Sequence, residues 1–473
     1  MKKRYLLWIC LLYPFFIHAQ TSSKKTKNTS PNILIIVSDD QGWGDVGFNG
    51  SDIPTPQLDA LAEEGIVFTQ GYASHPYCSP SRAGLLSGRY QQRFGHENNI
   101  PYQKVKETDG LPLEELLMSE HFETQGYQTC AIGKWHLGDH EKFWPNNRGF
   151  DDWFGFYGGG NDYWGRLNKN KAKNSGVLQN GEIVAQEKLS YLTDDFSNAA
   201  SKYIEKYSQS EKPFFMYLAY NAPHSPIQAP KKYFDEVAHI EDGHRAAYAA
   251  MVVGMDQGIQ KVVEKLKETG EYENTIIIFY SDNGAHTNGA SSFPFRGHKG
   301  MLFEGGIRVP FLISWPKGIE GGKKFEHFIT ALDVFPTLVD ASGVEPPNKE
   351  LDGVSLIPYL NNKKRKAPHK THFWRYSDGA GYAVRHGDYK LVYSGYKLKH
   401  LLFDLENDPY EQSNLADKFP NKVNELVRLY EEWSIGTVKA KWYDPHAANV
   451  LKEEKKRQSF LDKASAGEKP KKI

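Results

Sequence analysis

Three features of the sequence predict an α/β fold: a parallel sheet with helices on both faces, followed by a smaller C-terminal domain with an antiparallel sheet. First, continuous apolar runs such as 33–37 (ILIIV) are rich in branched residues, as suits strands buried on both faces. Second, the runs stop abruptly in polar residues: "SDDQGWGD" after the first, "NAPH" after "PFFMYLAY", "SDNGAH" after "TIIIFY". Between the last two, "HRAAYAAMVVGMDQGIQKVVEKLKETG" has helical periodicity and a glycine end. Strand and helix therefore alternate, the pattern of a parallel sheet. Third, the rhythm changes after about residue 361, where short strands with turns precede one helix.

In chain order, "MKKRYLLWICLLYPFFIHAQ" puts basic residues before a short apolar run, which reads as an export signal over 1–19, with a membrane anchor as the alternative. The expected location is the periplasm or the exterior, and no later segment approaches membrane-spanning length. A polar leader, 20–30, precedes a catalytic domain over 31–360. There "TPQLDALAEEG" is a short helix with Thr55 as cap and Gly65 as stop. "LPLEELLMSEHFETQGYQT" reads as an irregular helix running into the strand of "YQTCAIG". "KKRKAPHK" is a basic linker into a C-terminal subdomain, 361–440. That subdomain contains "YAVRHGDYKLVYSG", "HLLFDLENDPYE" and the helix "PNKVNELVRLYEEW". The tail, 441–473, reads as partly helical or disordered.

The chain has 473 residues, 39% of them apolar and 25% charged, which fits a soluble globular protein. Its formal net charge is zero, so no global field draws it to nucleic acid, and affinity for an anion must come from a local pocket. Of three cysteines, Cys10 lies in the export signal. Cys78 and Cys130 remain; a disulfide between them is open on count, although Cys130 reads as a small buried strand residue.

Chemistry collects beyond the carboxyl ends of strands in such sheets. Asp39–Asp40 and Asp282–Asn283 each follow an apolar strand, which brings three carboxylates and an amide oxygen together. Unpaired, they would repel; a hard divalent cation, calcium or magnesium, would resolve the repulsion. Turn and cap roles are the alternative for either pair alone. "GKWHLG" supplies Lys134 and His136, two apart and so on one face of a strand. "NAPHSP" supplies His224, and the glycine-rich "RGHKGMLFEGGIRVP" supplies Lys299. Together they suggest a basic pocket for an anion. Cys78 opens "CSPSRAGLLSGR", where Pro80 suits a first helical turn and Arg82 lies one turn on. A nucleophile there would have a cation and a helix dipole beside it, whereas a structural cysteine would be buried and inert.

From 78 to 89 the sequence meets C-x-P-x-R-x-x-L-x-x-G-R, and it thereby resembles the type I sulfatases. "GKWHLG" resembles that family's second signature, and "SDDQGWGD", "APHSP", "SDNGAH" and the 298–310 segment also resemble the family, in its usual order. The resemblance spans roughly 31–435. It implies an alkaline-phosphatase-like domain, with a mixed, mostly parallel sheet, and a smaller C-terminal α+β domain. It implies that a separate maturation enzyme oxidises Cys78 to formylglycine (3-oxoalanine). It further implies one calcium ion, with magnesium second, held by Asp39, Asp40, Asp282, Asn283 and modified Cys78. By the same resemblance Arg82 and Lys134 stabilise the nucleophile, and His136 is the base that releases sulfate. His224 and Lys299 hold the sulfate, with His224 as proton donor to the leaving alcohol.

The stretch 150–166, "FDDWFGFYGGGNDYWGR", is dense in aromatics and glycines. Such a loop could stack on sugar rings or pack on itself. With export, it points to a sulfated saccharide as substrate, for which ulvan, carrageenan and glycosaminoglycans are candidates. A phosphodiesterase or phosphonate hydrolase of the same superfamily and a non-catalytic carbohydrate binder are the rival readings.

Overall fold

In the computed structural model the described residues are 30–101, 105–166, 176–361, 366–394 and 399–443. The expected export signal, nearly all of the leader and nearly all of the tail lie outside them. No described helix is long and apolar enough to cross a membrane.

Ten strands form one mixed, mostly parallel sheet. Its middle is five parallel strands in the spatial order Thr275–Ser281, Asn32–Ser38, Phe214–Ala219, Gln128–Lys134, Asp152–Phe156. Beyond Thr275–Ser281 lie antiparallel Phe311–Ser314, then Ile66–Phe68 and Lys323–Phe325. A short hairpin, Leu178–Gln179 with Glu182–Ile183, closes the other edge.

The first strand shows why its apolar run is continuous. Leu34 and Ile36 enter one core with Phe196, Ala200 and Ile204 of helix Leu192–Ser208 and with Met251, Met255 and Ile259 of helix Gly243–Glu268. Ile33, Ile35 and Val37 enter a second core with Leu85 and Leu86 of helix Cys78–Ser87 and Phe335 and Leu338 of helix Val334–Ser342. With helices on both faces, alternation between apolar and polar residues has no use. Each such aliphatic side chain contributes roughly 1.5–3 kcal/mol on burial.

Two expectations change. In "LPLEELLMSEHFET" only Met118–Thr124 is helical. The stretch 150–166 is not an open aromatic loop: it contributes the strand Asp152–Phe156, and Phe150, Trp153, Phe156 and Tyr163 are buried. Strand position explains this, because Asp152–Phe156 pairs with Gln128–Lys134 inside the sheet and so carries its aromatic rings into both cores.

After residue 361 an antiparallel sheet runs in sequence order, Thr371–Tyr376, Gly381–His386, Tyr389–Ser394, Lys399–Asp404. One face packs Tyr382, Val384, Leu391 and Leu402 against Leu426 of helix Pro420–Ser434. The other packs Trp374, Ala383, Val392 and Phe403 against Tyr72, Leu302, Ile307 and Phe328. The two faces again alternate along each strand.

Candidate active site

Four adjacent strand ends carry the polar clusters. Asp39 and Asp40 follow Asn32–Ser38, Asp282 and Asn283 follow Thr275–Ser281, Lys134 ends Gln128–Lys134, and His224 follows Phe214–Ala219. Cys78 enters from the side as the first residue of helix Cys78–Ser87, so the free amides of that helix end surround its position. Both Cys78 and Cys130 are free, buried thiols, so no disulfide joins them.

The Cys78 Sγ lies 3.1 Å from Lys299 Nζ, 3.4 Å from Asp39 Oδ1 and 3.7 Å from Asp40 Oδ1. In an unmodified chain this sulfur stands where the oxygens of an oxidised side chain would be. Burial, then the Asp282 charge, pushes the thiol well above its ordinary range, although Lys134 and Lys299 oppose it.

The three carboxylates are not left to repel one another. Asp39 Oδ2 is 2.5 Å from Lys134 Nζ, Asp40 Oδ1 is 2.5 Å from Lys299 Nζ, and Asp282 Oδ2 accepts from Arg82 Nε at 2.8 Å. Repulsion among them is therefore partly offset by lysine and arginine. Burial and repulsion from Asp39 still push Asp282 up, to about 6. Burial also acts upward on Asp40, but Lys299, His224 and Lys134 outweigh it and hold that carboxyl below its usual range.

Whether the residues fit a cation is decided by their free acceptors. Asp40 Oδ2 and Asn283 Oδ1 are buried with no hydrogen-bond partner, and Asn283 Nδ2 donates to Asp40 Oδ1 at 2.9 Å, which turns its oxygen away from that carboxylate. Orphaned oxygens beside two further carboxylates are the donor set of a hard divalent ion. Ligand atoms of Asp39, Asp40, Cys78 and His224 also lie within 4.8 Å of one another.

Both histidines are held neutral. Burial, then the Lys134, Arg82 and Lys299 charges, keeps His136 well below its ordinary value. Burial draws His224 down to about 3, against the pull of Asp40. Its Nε2 is 3.6 Å from Asp40 Oδ2. Its Nδ1 lies 2.6 Å from the Ser225 carbonyl, which only accepts, so Nδ1 carries the proton of the neutral ring. His136 is not on a strand with Lys134, as the spacing suggests. The strand ends at Lys134, and His136 lies beyond it with φ of 60°. Asp40 shares that left-handed conformation, at 66°; for residues other than glycine this is uncommon and tolerated mainly by Asn, Asp and His.

Three supporting groups lie inside the stretches singled out from the sequence, where the sequence gives them no role of their own. Ser79 Oγ donates to the His136 carbonyl at 2.7 Å and lies 2.7 Å from His96 Nε2, which fixes the backbone under His136. Gly159 packs on the His136 ring so closely that a Cβ there would lie 2.7 Å from Nε2. His286, three residues past Asn283, is half-buried near Asp40 and Lys299, and burial lowers it as well.

Known proteins place the chain. The Sulfatase family profile matches residues 31–344, and the profile for the N-sulphoglucosamine sulphohydrolase C-terminal region matches 296–434. The uncharacterized sulfatase YdeN of Escherichia coli K12 is 31% identical over 507 aligned positions, covering 87% of each chain. Mouse arylsulfatase J is 32% identical, covering 86% of this chain and 77% of its own. The solved complex of Ps i-CgsB with k-i-k-neocarrahexaose is 36% identical with a TM-score of 0.84, covering 89% of this chain and 96% of that one. With a family profile over most of its length and relatives of this identity and coverage, the chain belongs to the sulfatase family and is a sulfuric ester hydrolase.

Proposed function

We propose that this sulfatase removes sulfate from a sulfated carbohydrate outside the cytoplasm, using a nucleophile made from Cys78 by a formylglycine-generating enzyme. The observation that carries the reading is the placement of Cys78. It sits at a buried helix start, with Lys299 at 3.1 Å and Asp39 at 3.4 Å, and with Pro80 and Arg82 at the offsets of the maturation signature. Support for a carbohydrate comes from the neocarrahexaose bound to Ps i-CgsB and from the names of relatives such as human N-acetylgalactosamine-6-sulfatase, 32% identical. A carrageenan-type galactan or a glycosaminoglycan therefore leads the substrate class.

A hydrated aldehyde at position 78 would supply two hydroxyl oxygens on one carbon, one to displace the alcohol from sulfur and one to re-form the carbonyl as sulfate leaves. A calcium ion held by Asp39, Asp40, Asp282, Asn283 and residue 78 would polarise those oxygens and draw sulfate oxygens into place. The chain's own groups do the rest. Lys134 and Arg82 offset the carboxylate charge and keep the anionic substrate from being repelled. Lys299, within reach of residue 78, binds a sulfate oxygen. His136, held neutral, takes the proton from residue 78 that sulfate release requires. His224 is also neutral before substrate arrives. An anionic ester beside it raises its proton affinity, so Nε2 can take up a proton from solvent as the substrate binds and hand it to the departing sugar oxygen.

The test uses leaving groups. An aryl sulfate releases a phenolate without help, whereas a sugar alcohol needs its proton. His224→Ala should lose roughly two to four orders of magnitude in kcat on a sulfated oligosaccharide and far less on 4-nitrophenyl sulfate. Equal losses on both would remove His224 as donor and leave Lys299 as the next candidate. Catalytic efficiency on phosphate monoesters or diesters above that on every sulfate ester would favour the phosphohydrolase reading instead.

A further inference from the structure

The stretch expected to stack on sugar rings is largely buried, yet aromatic side chains to which the sequence assigns no role lie on the loops that carry the site. Phe293 is 77% exposed, more than any other large aromatic side chain among the described residues. Trp43, half-buried, shares this region: its ring lies 5.0 Å from that of Phe295, edge to face. Trp43 follows Asp40 by three residues, and Phe293 belongs to the loop that carries Lys299.

The link from Phe293 to the site is short. Ala285 donates its N–H to Ser292 Oγ at 3.3 Å and accepts from the Lys299 N–H at 2.8 Å. Thus one backbone unit, two residues past Asn283, fixes both the residue before Phe293 and the lysine against residue 78. The mount is rigid. Buried Asp45 accepts from Ser291 N at 2.9 Å, from Gly42 N at 3.0 Å and from Tyr248 OH at 2.8 Å, and it also pairs with Arg245. Gly44 N donates to the Ser291 carbonyl at 3.0 Å, and a Cβ on Gly44 would lie 2.7 Å from the Phe293 carbonyl. The Trp43 and Phe293 turns are therefore clamped together. The same loop reaches the catalytic groups through His286, which feels the Asp40 and Lys299 charges, and through Asn288, which donates to Ser225 Oγ at 2.7 Å, next in sequence to His224.

An exposed ring does nothing for folding, and a rigidly held one costs little entropy on binding. We propose that Phe293, with Trp43 beside it, forms an aromatic subsite that stacks on a pyranose ring of the saccharide whose sulfate is cut. The inference rests on the carbohydrate reading of the site. The apolar C–H face of a sugar covers the ring, and neighbouring polar groups select its hydroxyls.

The experiment uses matured full-length enzyme and its Phe293→Ala and Phe293→Tyr variants. Substrates are neocarrageenan hexaoses, sulfated chondroitin disaccharides and 4-nitrophenyl sulfate. Phe293 is exposed and outside the hydrophobic cores, so F293A should keep its folding midpoint and its kcat/KM on 4-nitrophenyl sulfate. On whichever saccharide the wild type cleaves, KM should rise about tenfold in F293A, and F293Y should restore it. Saccharide cleavage with KM unchanged in F293A would overturn the subsite alone. Wild-type enzyme active on 4-nitrophenyl sulfate but on none of the saccharides would overturn the carbohydrate reading and the subsite with it.

Discussion

Replacing Lys390 by methionine removes a buried cation that touches two carboxylates at the junction between the C-terminal sheet and the catalytic loop. Its Nζ lies 2.7 Å from Glu304 Oε1 and 2.9 Å from Glu411 Oε1, and all three side chains are fully buried. Glu304 Oε2 also accepts from Tyr72 OH at 2.6 Å, and Glu411 Oε2 accepts from the Glu304 N–H at 2.7 Å. Burial pushes both carboxyls up. In Glu304 the Lys390, Arg308 and Arg385 charges win and hold it down, whereas Glu411, facing the Glu304 charge as well, stays raised. Taking away one partner of a buried pair costs about 3–5 kcal/mol, because the partner charge is left uncompensated. That is a large part of a typical total stability of about 5–15 kcal/mol. Urea unfolding followed by tryptophan fluorescence reads the loss as a lower midpoint, with Trp374 buried in the C-terminal sheet as a local reporter. The double variant K390M/E411Q keeps an acceptor for the Glu304 N–H and leaves the Glu304 carboxylate facing Arg308 and Arg385, so it should regain most of the loss. A K390M loss below about 1 kcal/mol, or a double variant no more stable than the single one, would refute the charge-compensation argument.

Other predictions concern pH and the glycine beneath His136. Burial lowers His369, but the Asp333 carboxylate at 2.8 Å outweighs it and raises the imidazole above its ordinary 6.5. The stability from this bridge is complete below 6.5 and is lost as pH rises through the raised folded-state value, so wild type should lose thermal stability into alkaline buffer more steeply than His369→Gln. Equal slopes would exclude the linkage. In Gly159→Ala the new Cβ would lie 2.7 Å from His136 Nε2. It should lower kcat on every sulfate ester by roughly ten- to hundredfold while the protein stays folded. Unchanged turnover would mean that the ring position is not set there.

Much of the architecture is readable because helices cover both sheet faces. Runs such as 33–37 and 276–280 must then be apolar throughout, and the polar residues after them mark strand ends. The same logic locates Asp39, Asp40, Asp282, Asn283 and Lys134. Pairing between segments is not readable. Nothing in the spacing shows that Asp39 meets Lys134, Asp40 meets Lys299 or Asp282 meets Arg82. A turn from strand into a left-handed residue hides that His136 leaves the sheet. Aromatic density misleads at 150–166, where the rings fill the cores, while the exposed Phe293 sits in a loop with no such density. Lys390, in "GDYKLVYSG", looks like an ordinary surface lysine; only the antiparallel register turns it toward Glu304.

The central claim is that residue 78 acts as an oxidised side chain. Peptide mass spectrometry on active enzyme, made in a host with a formylglycine-generating enzyme, tests it most directly. The 74–82 segment should show the thiol replaced by an aldehyde: loss of sulfur and two hydrogens, gain of one oxygen. Specific activity should scale with the modified fraction, and Cys78→Ala should fold and be inactive. Full activity in preparations whose Cys78 is unmodified, or in Cys78→Ala, would contradict the account.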